Sequence, residues 1–273
     1  MNSSPTLGRP ASSDVFADIA HWHDVLLLVA HPDDDVIGAG GHLPLWKNVS
    51  VLYVTDGAPR DMTDANNAGY STREAYAAER YKEAQSALRV ANIPECHIAT
   101  LGIVDQEASL ALVELTHSIA GWIEKIAPSL VITHSYEGGH PDHDAVAFAV
   151  HSAFGILDQA SCPELIEMTS YHQQSGAMRA GDFIELAGTP LPEVSIVLDA
   201  SQSAWKTQMF SCHQTQRGVL QYFPIHTERF RCAPDYDFAV PPPGEGIYYE
   251  QFRWGMNSEK WCGLAQKALR ELE

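Results

Sequence analysis

A short apolar run that ends in a cluster of ionisable side chains constrains this chain more than any other feature. Residues 25–30 read Val-Leu-Leu-Leu-Val-Ala, which predicts a strand buried on both faces of a sheet. Residues 31–35, His-Pro-Asp-Asp-Asp, follow directly. In open α/β sheets, ligands bind in the crevice outside the carboxyl ends of the strands. Because three adjacent carboxylates repel one another and raise one another's pKa values, the cluster predicts a divalent cation at this strand end.

A second strand end supplies the further ligand that such a site needs. Residues 130–134 form another buried-strand run, and the sequence His-Pro-Asp-His follows at 140–143. A helical turn that starts at Pro141 brings positions 140 and 143 to one side. Two such clusters on neighbouring strand ends predict a His/Asp/His zinc site with one position open for water. The alternative is that these polar residues only cap the helices that follow them. A single His-Pro-Asp motif would favour this alternative, whereas two such motifs favour the metal site.

Composition limits the classes of partner and the compartment. The net charge of −18 argues against nucleic acid and against an anionic membrane surface as partners. Five scattered cysteines without CxxC spacing argue against a disulfide framework or a thiolate zinc site, and favour a reducing, cytoplasmic location. No apolar run approaches the length that spans a bilayer. The length of 273 residues suits one sizeable α/β domain.

The pattern along the chain predicts strands that alternate with helices up to about residue 157. The predicted strands are 25–30, 49–54, 96–101 and 130–134, and the predicted helices are 73–90, 110–126 and 143–157. This order predicts right-handed βαβ units and a Rossmann-like, mostly parallel sheet flanked by helices. Beyond it we expect strands at 165–171 and 194–198, a helix at 203–213, an irregular C-terminal extension from Phe223 and a last helix at 259–272. Residues 1–16 are expected to be a disordered tail.

The two motifs together resemble the LmbE/PIG-L family of zinc-dependent N-deacetylases. Members of that family remove acetyl or larger acyl groups from N-acylglucosamine units of small glycoconjugates. The resemblance covers residues 24–216, with only the two His-Pro-Asp motifs specific, and it implies a single deacetylase domain over residues 17–273. Asp35 departs from the family pattern, in which a glutamate follows the two aspartates. Because that third acid is not a metal ligand in the family, the change bears on hydrogen bonding around the site.

The resemblance also implies roles for individual residues. It implies one zinc, or another divalent ion, per chain, held by His31, Asp34 and His143. Asp33 corresponds to the general base, although an N-cap role is the plainer alternative. His140 corresponds to the group that stabilises the oxyanion in its protonated form or protonates the leaving amine, with Asp142 orienting it.

Contacts to the substrate are implied less directly. Arg80 matches a family Arg-x-x-Glu helix whose arginine reaches substrate hydroxyls, but Arg73 offers a competing register, and a solvated helix face is the plainer alternative. Asp105 follows a predicted strand end and resembles the sugar-binding aspartate of the family. Residues 206–216 contain Lys-x6-His-x-Thr-Gln, similar to a late family motif, and we interpret this segment as structural.

The expected function is hydrolysis of the amide bond in a small N-acylated amino sugar conjugate. A carbohydrate-binding or regulatory protein that keeps the metal without turnover is a rival, although a mere binder needs neither Asp33 nor His140. A nucleotide-binding enzyme is disfavoured because no G-x-G-x-x-G follows the first strand. An amidase that acts on thiol conjugates or antibiotic precursors stays open, and so does a homo-oligomer.

Overall fold

A seven-stranded sheet forms the centre of the computed structural model, which describes residues 13–159, 162–186, 188 and 191–273. Its strands are β1 (His23–Val29), β2 (Lys47–Thr55), β3 (Ile98–Ile103), β4 (Leu130–His134), β5 (Glu164–Met168), β8 (Glu193–Val197) and β9 (Thr227–Cys232). A separate hairpin pairs β6 (Tyr171–Gln174) with β7 (Ala177–Ala180). The strand order is β3-β2-β1-β4-β5-β9-β8. The first five strands are parallel, and β9 runs antiparallel to both β5 and β8.

Helices cover both faces of this sheet, so the predicted fold class is confirmed. The α-helices are α1 (Asp34–Ala39), α2 (Thr63–Asn67), α3 (Arg73–Val90), α4 (Leu112–Ile126), α5 (Pro141–Ile156), α6 (Ala200–Cys212), α7 (Arg217–Leu220) and α8 (Ser258–Leu272). Short 3-10 segments lie at Ser13–His21, Glu95–His97, Ala108–Ala111, Gln214–Gln216 and Tyr248–Gln251. Every helix among the described residues is too short or too polar to cross a lipid bilayer.

Strand β1, which lies inside the sheet between β2 and β4, contributes side chains to two separate clusters of the hydrophobic core. Leu26 and Leu28 pack into the cluster that contains the apolar sides of α4, α5 and α8. Leu27 and Val29 point the other way, into the cluster formed with α3 and α6. Successive side chains of a strand point to opposite faces, and all four of these are fully buried. The prediction of a strand buried on both faces is therefore confirmed.

The irregular region expected after Phe223 contains the strand β9, which the sequence did not reveal. This strand carries charged side chains, Glu228 and Arg231, that are only 2% exposed. Arg231 pairs with Glu167 on the neighbouring strand at 2.8 Å, and Glu228 pairs with Lys206 at 2.9 Å. Charged residues within a segment argue against a buried strand, and here their partners lie elsewhere in the sequence. The local sequence pattern of residues 227–232 therefore does not indicate a buried strand. Of the expected tail, residues 1–12 lie outside the described residues, and Ser13 begins a 3-10 segment.

A buried ion pair anchors the helix that follows the first motif. The ammonium group of Lys206 donates hydrogen bonds to the Ile37 carbonyl at 2.8 Å and to Glu228 at 2.9 Å. Glu228 also accepts from the Gly41 amide at 2.7 Å, and its other oxygen lies 2.6 Å from His42 Nδ1. Since Lys206 is fully buried and Glu228 nearly so, these contacts fix the end of α1 against β9.

Lys206→Met is expected to lower the free energy of unfolding by about 3–5 kcal/mol, because it leaves the Glu228 carboxylate buried without its counter-charge. The measurement is chemical denaturation of the variant and the wild type. Lys267→Met is the matched control, since Lys267 is 70% exposed and its pair with Glu271 spans 3.7 Å. That control is expected to cost less than about 1 kcal/mol. Equal losses in the two variants would show that the buried pair does not anchor α1.

Candidate metal centre

Three ionisable side chains from the two motifs meet at the carboxyl ends of β1 and β4. His31 Nδ1 lies 3.2 Å from His143 Nε2 and 3.3 Å from Asp34 Oδ2. The second Asp34 oxygen, Oδ1, lies 3.2 Å from His143 Nε2. All three side chains are buried, and together they form a group that could hold a metal ion. Two His-Pro-Asp motifs more than 100 residues apart are thus brought into contact, as the sequence analysis expected of this pair of strand ends.

The spacing of these atoms fits a zinc ion. Zinc bonds of about 2.0–2.1 Å in tetrahedral geometry place neighbouring ligand atoms about 3.3 Å apart. The two ring nitrogens lie 3.2 Å apart, and each lies 3.2–3.3 Å from one of the two oxygens of Asp34. The donor set, two imidazole nitrogens and a carboxylate, is also one that zinc prefers. Asp34 is further held by the His31 amide, which donates to its Oδ2 at 2.7 Å. Burial raises the pKa of the Asp34 carboxyl, but His143 and His134 outweigh this effect and lower that pKa well below its usual range.

His134, which was not among the predicted site residues, packs against His143 in this group. Its ring stacks on that of His143 with centroids 4.1 Å apart and planes 6° from parallel. Its Nε2 accepts the Ala30 amide hydrogen at 3.0 Å. Burial, with repulsion from His143, lowers the pKa of His134 to about 4, so the ring is neutral. The only sequence signal was its place as the last residue of the second buried-strand run.

The outer nitrogen of His31 faces two carboxylates. Its Nε2 lies 3.3 Å from Asp105 and 3.4 Å from Asp142. The Asp142 carboxylate also accepts the backbone amides of Gln106 at 2.6 Å and Ala108 at 3.0 Å. Burial alone would lower the pKa of His31, but the negative charges of Asp105, Asp142 and Asp34 raise it well above its usual range. The same field attracts a cation to this end of the sheet.

His140 lies beside this arrangement, but the Asp142 carboxylate is not its main partner. The Asp142 backbone amide donates to His140 Nδ1 at 3.1 Å, whereas the Asp142 carboxylate is 3.9 Å away. The other ring nitrogen, Nε2, lies 3.7 Å from Asp105. Because Nδ1 accepts, the neutral ring carries its hydrogen on Nε2. Burial and the charge of His31 lower the pKa of His140 well below its usual range. His31, Asp105, His140 and Asp142 also form a second group within reach of one ion.

Asp33 and Arg80 form a buried pair next to the three motif residues. Arg80 Nη2 donates to the Asp33 carboxylate at 2.8 Å, and Nη1 donates to the Gly57 carbonyl at 2.6 Å. Burial raises the pKa of Asp33, and the Arg80 charge opposes this shift only in part. Arg80, selected as a sugar contact, is 5% exposed and is held against Asp33. The competing Arg73 is half-buried and pairs with Asp56.

The late motif packs against the helix that carries Arg80. Thr215 donates to Glu83 through its amide at 2.9 Å and through its hydroxyl at 2.6 Å. Gln216 donates to the Tyr76 hydroxyl at 2.6 Å. Tyr76 and Glu83 lie four residues before and three residues after Arg80, on the same side of α3. The motif therefore fixes the buried face of α3 and so the position of the guanidinium.

Asp35, where the family has a glutamate, is fully buried at the start of α1. Its carboxylate interacts with the equally buried hydroxyl of Tyr53. Burial raises the pKa of this carboxyl to about 8. Asp35 does not belong to the group of three motif residues that could hold a metal, so its shorter side chain removes no ligand from that group.

Comparison with known proteins gives one family and several relatives. Residues 26–154 match the family model described as PIG-L: GlcNAc-PI de-N-acetylase. A Bacillus anthracis protein named probable N-acetyl-alpha-D-glucosaminyl L-malate deacetylase 2 is 31% identical over 144 residues, which cover 51% of this chain and 62% of that protein. A Bacillus subtilis (strain 168) protein of the same name is 27% identical over 206 residues, 72% of this chain and 85% of that protein. The chain thus spans less than two thirds of the first of these relatives.

Solved structures share the fold. The zinc-inhibited form of teicoplanin deacetylase Orf2 aligns with a TM-score of 0.57 at 17% identity, over 76% of this chain and 96% of that one. The N,N'-diacetylchitobiose deacetylase from Pyrococcus horikoshii aligns with a TM-score of 0.54 at 19% identity, over 81% and 86%. At these identities the likeness establishes the architecture of the sheet and helices.

Proposed function

We propose that this chain, which carries a PIG-L/LmbE family domain as its two motifs predicted, is a metal-dependent N-deacetylase of a small amino sugar conjugate. One observation carries the proposal: atoms of His31, Asp34 and His143 lie 3.2–3.3 Å apart in a buried group. Asp33 directly precedes Asp34 in the chain, and the His140 ring lies 4.4 Å from that of His31. The relatives named N-acetylglucosaminyl L-malate deacetylase support an N-acylated glucosamine unit as the substrate class. We expect a cytoplasmic enzyme that binds one zinc ion per chain.

The three motif residues are proposed to hold the ion. When bound, zinc supplies Lewis-acid chemistry, because it lowers the pKa of a water molecule and polarises a carbonyl oxygen. Asp105 and Asp142 lie against the outer nitrogen of His31, and such carboxylate partners fix the tautomer and orientation of a metal-ligating imidazole. Asp142 therefore serves the ligand His31 in this proposal, and not only His140.

Asp33 is proposed as the general base. Its carboxylate is adjacent in sequence to the ligand Asp34, and the Arg80 guanidinium holds it in place at 2.8 Å. It accepts a proton from the water that attacks the amide carbonyl carbon, and general-base catalysis of this kind contributes about 10²–10⁴ in rate. When the carbon–nitrogen bond breaks, the same proton passes to the departing nitrogen. The products are a carboxylic acid and a free amine on the sugar, and the acid then loses its remaining proton to the amine or to solvent.

His140 is proposed to stabilise the negative charge that develops on the carbonyl oxygen. Its Nδ1 is occupied by the Asp142 amide, so its Nε2–H is the group free to donate. Donors held in position for a developing oxyanion supply a large share of enzymatic rate enhancement. This role differs from the protonated imidazole that the family resemblance implied, because burial favours the neutral ring.

The rival function is a protein that binds the metal and a carbohydrate without turnover. The Arg80–Asp33 pair favours the enzyme, because it holds a carboxylate in place for proton transfer, which a simple binder does not need. An amidase that acts on thiol conjugates or antibiotic precursors shares the same chemistry and differs only in substrate.

The test is a substrate panel. Zinc-loaded protein is incubated with N-acetylglucosamine, its malyl and aryl glycosides, and an N-acetylated thiol conjugate, and the products are identified by mass spectrometry. We expect a free amine from at least one glucosaminide, and no product in the presence of a chelator. Full zinc occupancy without any amine product would support the non-catalytic alternative, and cleavage of the thiol conjugate alone would favour the second amidase class.

A further inference from the structure

Aromatic side chains line one side of the candidate site and reach the protein surface. We call them the aromatic strip, and its members are Tyr171, Tyr248, Phe252 and Trp254. At one end the Tyr171 ring lies 5.4 Å from that of His143. At the other end the Trp254 ring lies 4.8 Å from that of His140. The strip therefore touches both histidines of the second motif.

The two outer members form a stacked pair. The rings of Phe252 and Trp254 lie 4.5 Å apart, with planes 14° from parallel. Tyr248 joins this pair to the inner end of the strip, because its ring lies 5.1 Å from Phe252 and 5.8 Å from Tyr171. Phe252 is 38% exposed and Trp254 is half-buried. Aromatic rings contribute much of the contact area at binding surfaces, so this partly exposed pair is available for contact with another molecule.

Residues 248–254, which carry three members of the aromatic strip, are held in place by hydrogen bonds at both ends. The Tyr248 amide donates to the Gly138 carbonyl, in the loop before the second motif, at 2.8 Å. Glu250 accepts from the Ser258 amide at 2.7 Å and from the Ser258 hydroxyl at 2.6 Å. A surface that is already ordered loses little entropy when a ligand binds to it. The strip is thus a preformed face and not a loose tail.

Other side chains of the site are charged. Asp33, Arg80 and Asp105 are buried and offer polar partners to a bound sugar. In an N-acylated glucosaminide the acylated nitrogen is on C2 of the sugar, and the aglycone is linked at the neighbouring carbon, C1. When that amide lies at the metal group, the aglycone leaves the sugar beside the site, within reach of the side chains that pack against His140, of which Trp254 is one.

We propose that Phe252 and Trp254 form the subsite for the aglycone, and that the aglycone is a neutral group with a flat apolar face. This inference rests on the proposed function. Both residues lie outside the matched family region, 26–154. The malate named in the relatives is a dicarboxylate, to which an aromatic face offers no counter-charge. The exposed Arg253 between them is the cation that such an anionic aglycone would use instead.

The test compares aglycones in variants of the whole protein. The measured quantity is kcat/KM for phenyl N-acetylglucosaminide divided by kcat/KM for free N-acetylglucosamine. Trp254→Ala is expected to lower this ratio by about tenfold, because it removes one aromatic contact with the phenyl group. Trp254→Phe is expected to restore most of this ratio. Arg253→Ala is the matched control and is expected to keep the ratio of the wild type.

A binding measurement separates this proposal from the catalytic one. Calorimetric titration of metal-free protein with phenyl glucosaminide, which has no amide, is expected to show binding that Trp254→Ala weakens by about tenfold. Such binding in a protein that hydrolyses nothing would overturn the proposed function and leave the subsite standing. Equal effects of Trp254→Ala on both substrates would overturn the subsite. Loss of malyl glucosaminide turnover in Arg253→Ala, with no selective effect of Trp254→Ala, would also overturn it.

Discussion

Asp33→Asn is expected to lower kcat by at least about a hundredfold while the protein keeps its zinc, because loss of a general base removes about 10²–10⁴ in rate. The amide keeps the shape of the side chain and still offers Arg80 an oxygen to which Nη2 can donate at 2.8 Å. It cannot accept the proton of the attacking water. Turnover of a glucosaminide and the zinc content of the purified variant are the two measurements.

Asp34→Asn is the matched variant, since the two aspartates are adjacent and the substitutions are chemically identical. The Asp34 carboxylate lies 3.3 Å from His31 Nδ1 and 3.2 Å from His143 Nε2. Replacing it with a neutral amide is therefore expected to weaken zinc binding itself. The mechanism would be contradicted if the Asp33→Asn variant lost its zinc while the Asp34→Asn variant kept both its zinc and its turnover rate. That result would make Asp33 the metal ligand and Asp34 the candidate base.

His143→Ala is expected to lose most of its bound zinc and, with it, nearly all hydrolysis. The imidazole of His143 supplies one of three proposed ligands, and removing it leaves two groups that hold a divalent ion far more weakly. The fold is expected to survive, because His143 lies in the first turn of α5, a helix whose apolar residues pack into the core independently of this ring. Metal analysis after dialysis measures the loss.

His97→Ala is the control for this substitution. His97 lies at the other end of the sheet, in the 3-10 segment before β3, where its Nδ1 lies 3.0 Å from the Val49 carbonyl oxygen. Its removal is expected to leave zinc content and turnover as in the wild type. Full zinc occupancy in His143→Ala would exclude His143 as a ligand, whatever the activity of that variant.

Features that depend on local sequence could be predicted. The apolar run of β1 identified a strand buried on both faces, because side-chain direction alternates within the strand itself. The predicted helix 73–90 is α3, Arg73–Val90, where residues with high helix propensity follow one another without a break. The two His-Pro-Asp motifs placed the candidate metal residues, since the carboxyl ends of neighbouring parallel strands meet at one edge of the sheet.

Features that depend on distant partners could not be predicted. Strand β9 was missed because Glu228 and Arg231 are neutralised by Lys206 and Glu167, and no local pattern reports such pairing. Arg80 pairs with Asp33 across 47 residues of sequence, so its spacing on α3 could not show that it faces a carboxylate. Trp254 reaches His140 from a segment rich in proline and aromatic residues that carries no motif. In each case a long-range contact decides the role of the side chain.

Anomalous X-ray diffraction from crystals of the zinc-loaded protein, collected on both sides of the zinc absorption edge, identifies the side chains that hold the ion. We expect one strong peak at bonding distance from His31 Nδ1, Asp34 and His143 Nε2, with Asp33 beside it and not bonded to it. A peak placed instead among His31 Nε2, Asp105, His140 and Asp142, the second group that could hold an ion, would contradict the assignment of ligands and of the base together.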